Sequence, residues 1–250
     1  MYRRLIVLLL ASTVSADLVK MKARVMSADY RGDLEELARV RDELADDQTY
    51  LGRYWRGFAS WRIAINGANQ AMKSDQLIQH LRAAATDFYS SAQAKDDFAD
   101  AYAAASLVNG WLATFSIGEP AAMRERIALA QVLFARASAL DAKNPRVLWT
   151  QGAFFLYTPK EQGGSVPRAI EVYRQMHDEA ARRGTNAASP LPDWGKAEAL
   201  MSLAFAHMMQ SEPAKAREAA QRALTLQPEW SYVKNTLLPQ IDAAERRRPD

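Results

Sequence analysis

The chain has 250 residues, of which 49% are hydrophobic, 24% charged and 9% aromatic, and this apolar content is enough for a folded core. It contains no cysteine, which excludes disulfide bonds, thiolate metal sites, cysteine nucleophiles and the acylated N-terminal cysteine of a bacterial lipoprotein. The net charge is +3; without Arg3 and Arg4 the chain keeps 30 basic and 29 acidic residues, a balance that excludes the strongly basic surface of a nucleic-acid-binding protein.

The first sixteen residues have the three parts of a secretory signal peptide. Arg3 and Arg4 form a short positive region, residues 5–14 are apolar or small, and a Val-Ser-Ala sequence suited to cleavage follows. The apolar stretch is about half of the roughly 20 residues that a membrane helix needs, so we expect no stable membrane span after cleavage. The sequence therefore predicts a signal peptide over residues 1–16, cleaved near Ala16, and a periplasmic or secreted protein. The alternatives are an N-terminal helix packed on the core and an uncleaved anchor, for which the apolar stretch is short.

The remaining chain alternates helical stretches with short breaks. Ala, Leu, Arg, Glu, Gln and Met dominate between the prolines and glycines, and all of them favour helices. Cap residues close to a proline predict helix starts at Asn144, Ser165 and Ser211. The sequence predicts a helical segment over residues 17–47 and one helical domain over residues 48–250, closed by a polar capping helix from Trp230 to about Arg247.

One pattern recurs in the second helix of each predicted pair. It consists of a small residue, an aromatic residue four positions later and a small residue three positions after that, which places all three on one helix face. Small residues there allow the neighbouring helix to approach closely. The third copy ends in Met176 and the fourth has Ala220 at the aromatic position. The four copies are Ala84-Phe88-Ser91, Ala130-Phe134-Ala137, Ala169-Tyr173-Met176 and Ala216-Ala220-Ala223.

These segments resemble tetratricopeptide repeats, most clearly in residues 215–228 and also in residues 97–102 and 152–155. The resemblance covers roughly residues 48–245. It implies an all-α, right-handed superhelix of about four helix pairs plus flanking helices, in which the first helix of each pair lines a concave groove.

The copies lie 46, 39 and 47 residues apart, farther than the 34 residues of the family repeat, so we expect insertions at residues 116–120 and 157–167. Together with the predicted signal peptide, these long loops resemble exported bacterial tetratricopeptide-like proteins, among them the periplasmic helical component of some TRAP-type transporters.

Catalytic and metal-binding patterns are close to absent. His80, His177 and His207 fall in three different predicted helices, and none has a partner at metal-ligand spacing. The Gly163-Gly164 pair lacks the lysine that a phosphate-binding loop needs. The sequence therefore predicts that the protein is not an enzyme and holds neither a metal nor a cofactor.

The resemblance implies that inward positions of the first helices bind the partner. This row is rich in aromatic side chains and lacks the Lys and Asn residues with which some family members hold a peptide carboxylate. The candidate binding residues are Tyr54, Trp61, Arg62, Trp111, Arg146, Trp149 and Phe205, and further inward positions are Phe58, Asp100, Leu107, Tyr157, Met208 and Met209.

Two interpretations of the aromatic row remain open. Either the rings face a groove that holds a peptide or an apolar molecule, or a tightly wound superhelix buries them as core under the N-terminal helical segment. The first hypothesis for function is a non-catalytic module that binds a protein or peptide. The alternative is a small-ligand-binding or transport-accessory protein that holds an apolar metabolite or lipid, and an enzyme is the third. A long open groove would favour the peptide, and a closed aromatic pocket the small ligand.

Overall fold

A computed structural model describes the backbone of residues 2–247 and the side chains of residues 17–247. This part of the chain contains eleven α-helices and no strand, which confirms the all-α prediction. The N-terminal segment forms two helices, α1 (Tyr2–Arg31) and α2 (Leu34–Glu43). The side chains of residues 1–16, on which the signal-peptide prediction depends, lie outside the described part. Within the described residues, no helix is both long and apolar enough to cross a membrane.

Four helix pairs follow, as the sequence predicts, and their consecutive helices pack on one another. Helical residues 231–232, a π-helical turn (Val233–Leu237) and α11 (Leu238–Arg246) form one continuous terminal helix that ends the array, close to its predicted bounds. The pairs are α3 (Tyr50–Asn69) with α4 (Ser74–Ala94), α5 (Ala99–Thr114) with α6 (Pro120–Asp141), α7 (Pro145–Tyr157) with α8 (Val166–Arg183), and α9 (Lys196–Met209) with α10 (Pro213–Leu226).

Local capping sets several of these boundaries. The Asn144 side chain accepts a hydrogen bond from the Arg146 N–H at 2.9 Å, and Ser165 caps α8, so both predicted starts are confirmed. The start predicted at Ser211 is displaced by one residue, because Glu212 occupies the cap position and makes no side-chain capping bond.

The recurring small–aromatic–small pattern forms the buried face of three second helices. All three positions are buried in α4, α8 and α10. The close approach is visible at Gly152 of α7, where an added Cβ would lie 2.3 Å from Cε1 of Tyr173 on α8. Only Ala137 of the second copy is buried, because α6 packs mainly on α5 and little on α7.

The connection between α8 and α9, residues 184–195, fills the N-terminal half of the predicted groove. The Trp55 indole N–H of α3 donates to the Pro190 carbonyl at 2.8 Å, and Trp194 is 6% exposed among the α3 aromatics. This insertion lies between two pairs, not within a pair as the other two do.

Helix α1 bridges the two ends of the array, since it packs on α3 of the first pair and contacts Trp230 beyond the last pair. Lys22 pairs with Asp193 at 2.7 Å, and the Tyr30 ring packs edge-on against Trp230 with centroids 5.1 Å apart. The superhelix is therefore closed over part of its concave face, as one of the two interpretations of the aromatic row required.

Candidate ligand-binding cavity

The open remainder of the concave face is a cavity at the C-terminal halves of α3, α5, α7 and α9. The cavity has a volume of about 190 Å³, and the space that includes its open mouth is about 930 Å³. Eight aromatic side chains line it: Trp61, Trp111, Trp149, Tyr157, Tyr173, Phe205, Trp230 and Tyr232.

The inner wall of the cavity is held in place by ring packing. The Trp61 and Trp149 centroids are 5.3 Å apart, and Trp149 meets Trp194 edge-on at 5.1 Å. The Trp149 indole N–H also donates to Ser202 Oγ at 2.9 Å. These contacts fix the ring positions before any ligand enters.

The outer wall is less constrained. Trp111 of α5 and Phe205 of α9 are half-buried, and Tyr157 is 59% exposed at the end of α7. The Tyr157 and Phe205 centroids lie 6.1 Å apart. A flat molecule that enters the mouth would therefore meet aromatic surface on more than one side.

One edge of the cavity is polar and comes from α3. Arg62 is 7% exposed, and its Nε donates to Asp29 of α1 at 2.5 Å. Asn66 Nδ2 donates to the same carboxylate oxygen at 2.8 Å. Because Asp29 is itself 3% exposed, this ion pair is buried, and it fixes α1 on α3 beside the cavity.

A second buried acid lies close by. Glu198 of α9 accepts hydrogen bonds from the Tyr30 hydroxyl at 2.5 Å and from the Gly195 N–H at 2.8 Å. Burial raises the pKa of the Glu198 carboxyl above its usual value, although these two hydrogen bonds act in the opposite direction. The pKa of Tyr30 is also raised, first by burial and then by the neighbouring Glu198.

Glu198→Gln should change the pH dependence of stability. The Glu198 carboxyl has a higher pKa in the folded than in the unfolded chain, so its protonation stabilises the fold. This stabilisation is complete at a pH below the unfolded-state pKa and is lost as the pH rises through the folded-state pKa. Glutamine lacks this gain. We expect the wild type to gain stability relative to the variant as the pH falls from 8 to 4, measured by urea unfolding. The exposed Glu125→Gln is the control, and a pH-independent difference for Glu198→Gln would contradict the assignment.

The structure brings five of the seven candidate residues to the cavity: Trp61, Arg62, Trp111, Trp149 and Phe205. The other two were wrongly placed in an open groove. Tyr54 is fully buried and accepts the Trp194 indole N–H at 3.2 Å. Arg146 is 7% exposed and is held within the structure. Its Nε donates to Asp100 at 2.5 Å and its Nη1 donates to the Trp194 carbonyl at 2.9 Å.

Sequence reasoning missed the contribution of the chain's C-terminal part. Trp230 and Tyr232 line the cavity, so the terminal segment over residues 230–247 is not only a polar cap. The apolar face of this segment could have been found from spacings of three, four and four residues, which are typical of one helix face. The buried members of that face are Trp230, Val233, Leu237 and Ile241.

The three histidines lie away from the cavity. His177 and His207 line a separate surface groove between α8, α9 and α10, and His80 lies on α4. Among the described side chains, no group of three His, Asp or Glu residues is placed to hold a metal ion.

No model of a known protein family and no curated protein matches this chain. A solved structure, the HusA haemophore from Porphyromonas gingivalis, is similar to it with a TM-score of 0.55 and 18% sequence identity. The match covers 76% of this chain and 92% of the haemophore chain. At this identity the likeness concerns the helical fold, and the finer resemblance to tetratricopeptide repeats stays a prediction.

Proposed function

We propose that this protein binds an apolar, ring-containing small molecule in the aromatic cavity. The observation that carries the proposal is the cavity itself, which is lined by eight aromatic side chains and has an inner wall of tryptophans fixed by their own packing. Rings held in place lose little conformational freedom when a ligand binds, which favours affinity.

The same geometry favours a small ligand over an extended peptide. Residues 184–195 occupy the N-terminal half of the groove, where Trp194 packs on Phe58 with centroids 5.7 Å apart. A peptide would find a short, deep cavity in place of a continuous groove. The fold likeness to a haemophore also agrees with a small, flat ligand.

The setting of this function is part of the proposal. The charge and apolar pattern of residues 1–16 favours export, so we propose that the protein carries its ligand in the periplasm or outside the cell. We propose a non-catalytic role, because the cavity lining combines aromatic rings with one arginine and brings no histidine or carboxylate side chain to a ligand.

Trp111→Ala tests the proposal with little effect on the fold. Its ring is half-buried on the outer wall, so we expect binding of the neutral probe 1-pyrenebutanol to weaken roughly tenfold. Stability should fall by less than about 2 kcal/mol, below the range for a fully buried tryptophan. Binding is measured by transfer of tryptophan fluorescence to pyrene, and haemin serves as a second probe.

The matched control is Phe154→Ala, which removes a ring on α7 that is 47% exposed and does not line the cavity. We expect this variant to bind 1-pyrenebutanol like the wild type. The proposal fails if the wild type shows no saturable binding of either probe. It fails equally if Trp111→Ala and Phe154→Ala behave alike.

A further inference from the structure

We propose that Arg62 selects a ligand with an acidic group, which it binds at the inner, polar edge of the aromatic cavity. This inference rests on the proposed function and adds the chemical class of the ligand. The molecule would combine an apolar ring system with a carboxylate or a similar anion.

The first argument is the unused hydrogen-bonding capacity of Arg62. A guanidinium has five N–H donors. Its Nε donates to Asp29, whereas Nη1 and Nη2 donate to no group within residues 17–247. The Nη atoms are not among the fully buried donors and Arg62 lines the cavity, so they remain accessible to an acceptor on a bound molecule.

Trp61, the neighbouring residue, holds the Arg62 charge beside the cavity. The Arg62 guanidinium lies 5.0 Å from the Trp61 ring centroid, a cation–π contact. Both residues line the cavity, so the positive charge is kept next to an aromatic wall that a ring-containing ligand would contact.

An anion fits these donors better than a neutral acceptor. The planar guanidinium matches the two oxygens of a carboxylate, and hydrogen bonds to a charged acceptor are stronger than those between neutral groups. Asp29 bonds to Arg62 through Nε alone. Glu198 accepts from the Tyr30 hydroxyl and the Gly195 N–H, and neither acid accepts a hydrogen bond from the Arg62 Nη atoms.

The helix ends around the mouth do not prevent this binding. Helix C-termini carry partial negative charge, but the effect is confined to the last turn. Arg62 lies seven residues before Asn69, the last residue of α3, which is about two turns into the helix. The acid would therefore sit inside the cavity, below the ring of helix termini.

Two probes with the same ring test the inference on the unmodified protein. 1-Pyrenebutyric acid is ionised at pH 7.5, and 1-pyrenebutanol carries a neutral hydroxyl in its place. We expect the acid to bind at least tenfold more tightly. Equal affinities would overturn the role of Arg62 while leaving the proposed function intact, and failure of both probes to bind would overturn the proposed function.

Variants then assign the preference to α3. Arg62→Gln alone would leave Asp29 as a buried, unpaired charge, so it is combined with Asp29→Asn. We expect this double variant to bind both probes equally. The control is Arg56→Gln with Asp87→Asn. It removes an ion pair between α3 and α4 that lies outside the cavity, with an Nη2–Oδ1 distance of 2.7 Å, and should keep the preference for the acid.

Arg62→Lys decides the question if the double variant does not fold, as judged by circular dichroism. It retains a positive charge beside Asp29 and removes the planar fork of N–H donors. We expect the preference for the acid to fall at least threefold while 1-pyrenebutanol still binds. An unchanged preference in this folded variant, or in the Asp29→Asn/Arg62→Gln variant, would overturn the inference.

Discussion

Trp194→Ala should lower the free energy of unfolding by about 3–5 kcal/mol, the range for removal of a buried tryptophan. Trp194 is 6% exposed, and its ring packs on Phe58, Trp61 and Trp149 at centroid distances of 5.7, 6.3 and 5.1 Å. Its indole N–H also donates to the Tyr54 hydroxyl. Removal of this ring would leave a hole at the centre of the concave face and release residues 184–195 from it.

Urea unfolding followed by circular dichroism measures this loss. Leu191→Ala is the matched control, because Leu191 lies in the same connection but is 46% exposed. A substitution at such a surface position should change stability by about 0.5 kcal/mol or less. If the two variants lost similar stability, the connection would not be anchored by Trp194. Because Trp194 supports Trp149, we also expect Trp194→Ala to weaken probe binding.

The part of the fold that follows from local sequence was predictable, and the closure of the concave face was not. Helix pairs follow from composition, caps and the small–aromatic–small spacing, which all act within one or two helices. The contact of Trp194 with Tyr54 joins residues 140 positions apart. No local period marks such a contact, and a connection with prolines at positions 190 and 192 predicts only a loop.

The candidate site shows the same limit at the level of single residues. The repeat register predicted that Trp61, Trp111 and Trp149 face one surface, because a repeat places equivalent positions of neighbouring pairs side by side. All three line the cavity. Register alone could not distinguish an inward residue that faces the cavity from one that is covered by another part of the chain. Tyr54 is covered by residues 184–195, whereas Trp61, two turns farther along α3, borders the open space.

Arg146 had a signal that would have corrected its assignment. Asp100 and Arg146 are each the second residue of a first helix, α5 and α7 respectively. In a repeat array, equivalent positions of neighbouring pairs come close together, so opposite charges there predict an ion pair. Both residues stood in the inward row, and their charges indicated a structural role for Arg146.

Asp100→Ala should therefore destabilise the protein by about 3–5 kcal/mol, as expected when one partner of a buried ion pair is removed. The Asp100 oxygens accept from Arg146 Nε at 2.5 Å and from Asn144 Nδ2 at 3.0 Å. Without them the Arg146 guanidinium keeps only the Trp194 carbonyl as an acceptor within the described residues, and its charge remains buried. Asp178→Ala, at an exposed acid on α8 with 83% of its side chain accessible, is the control and should be nearly neutral.

A double variant separates the cost of the unpaired charge from the value of the pair itself. Asp100→Leu with Arg146→Met removes both charges and replaces them with apolar side chains, a change that is often neutral or stabilising at a buried pair. We expect this double variant to be more stable than Asp100→Ala in urea unfolding, although it also deprives Asn144 and the Trp194 carbonyl of their partners. If it is instead less stable than Asp100→Ala, the pair contributes directly by holding α5, α7 and residues 184–195 together. Neither variant replaces a residue that lines the cavity. Any loss of probe binding would therefore measure how far the Asp100–Arg146 pair positions the inner wall.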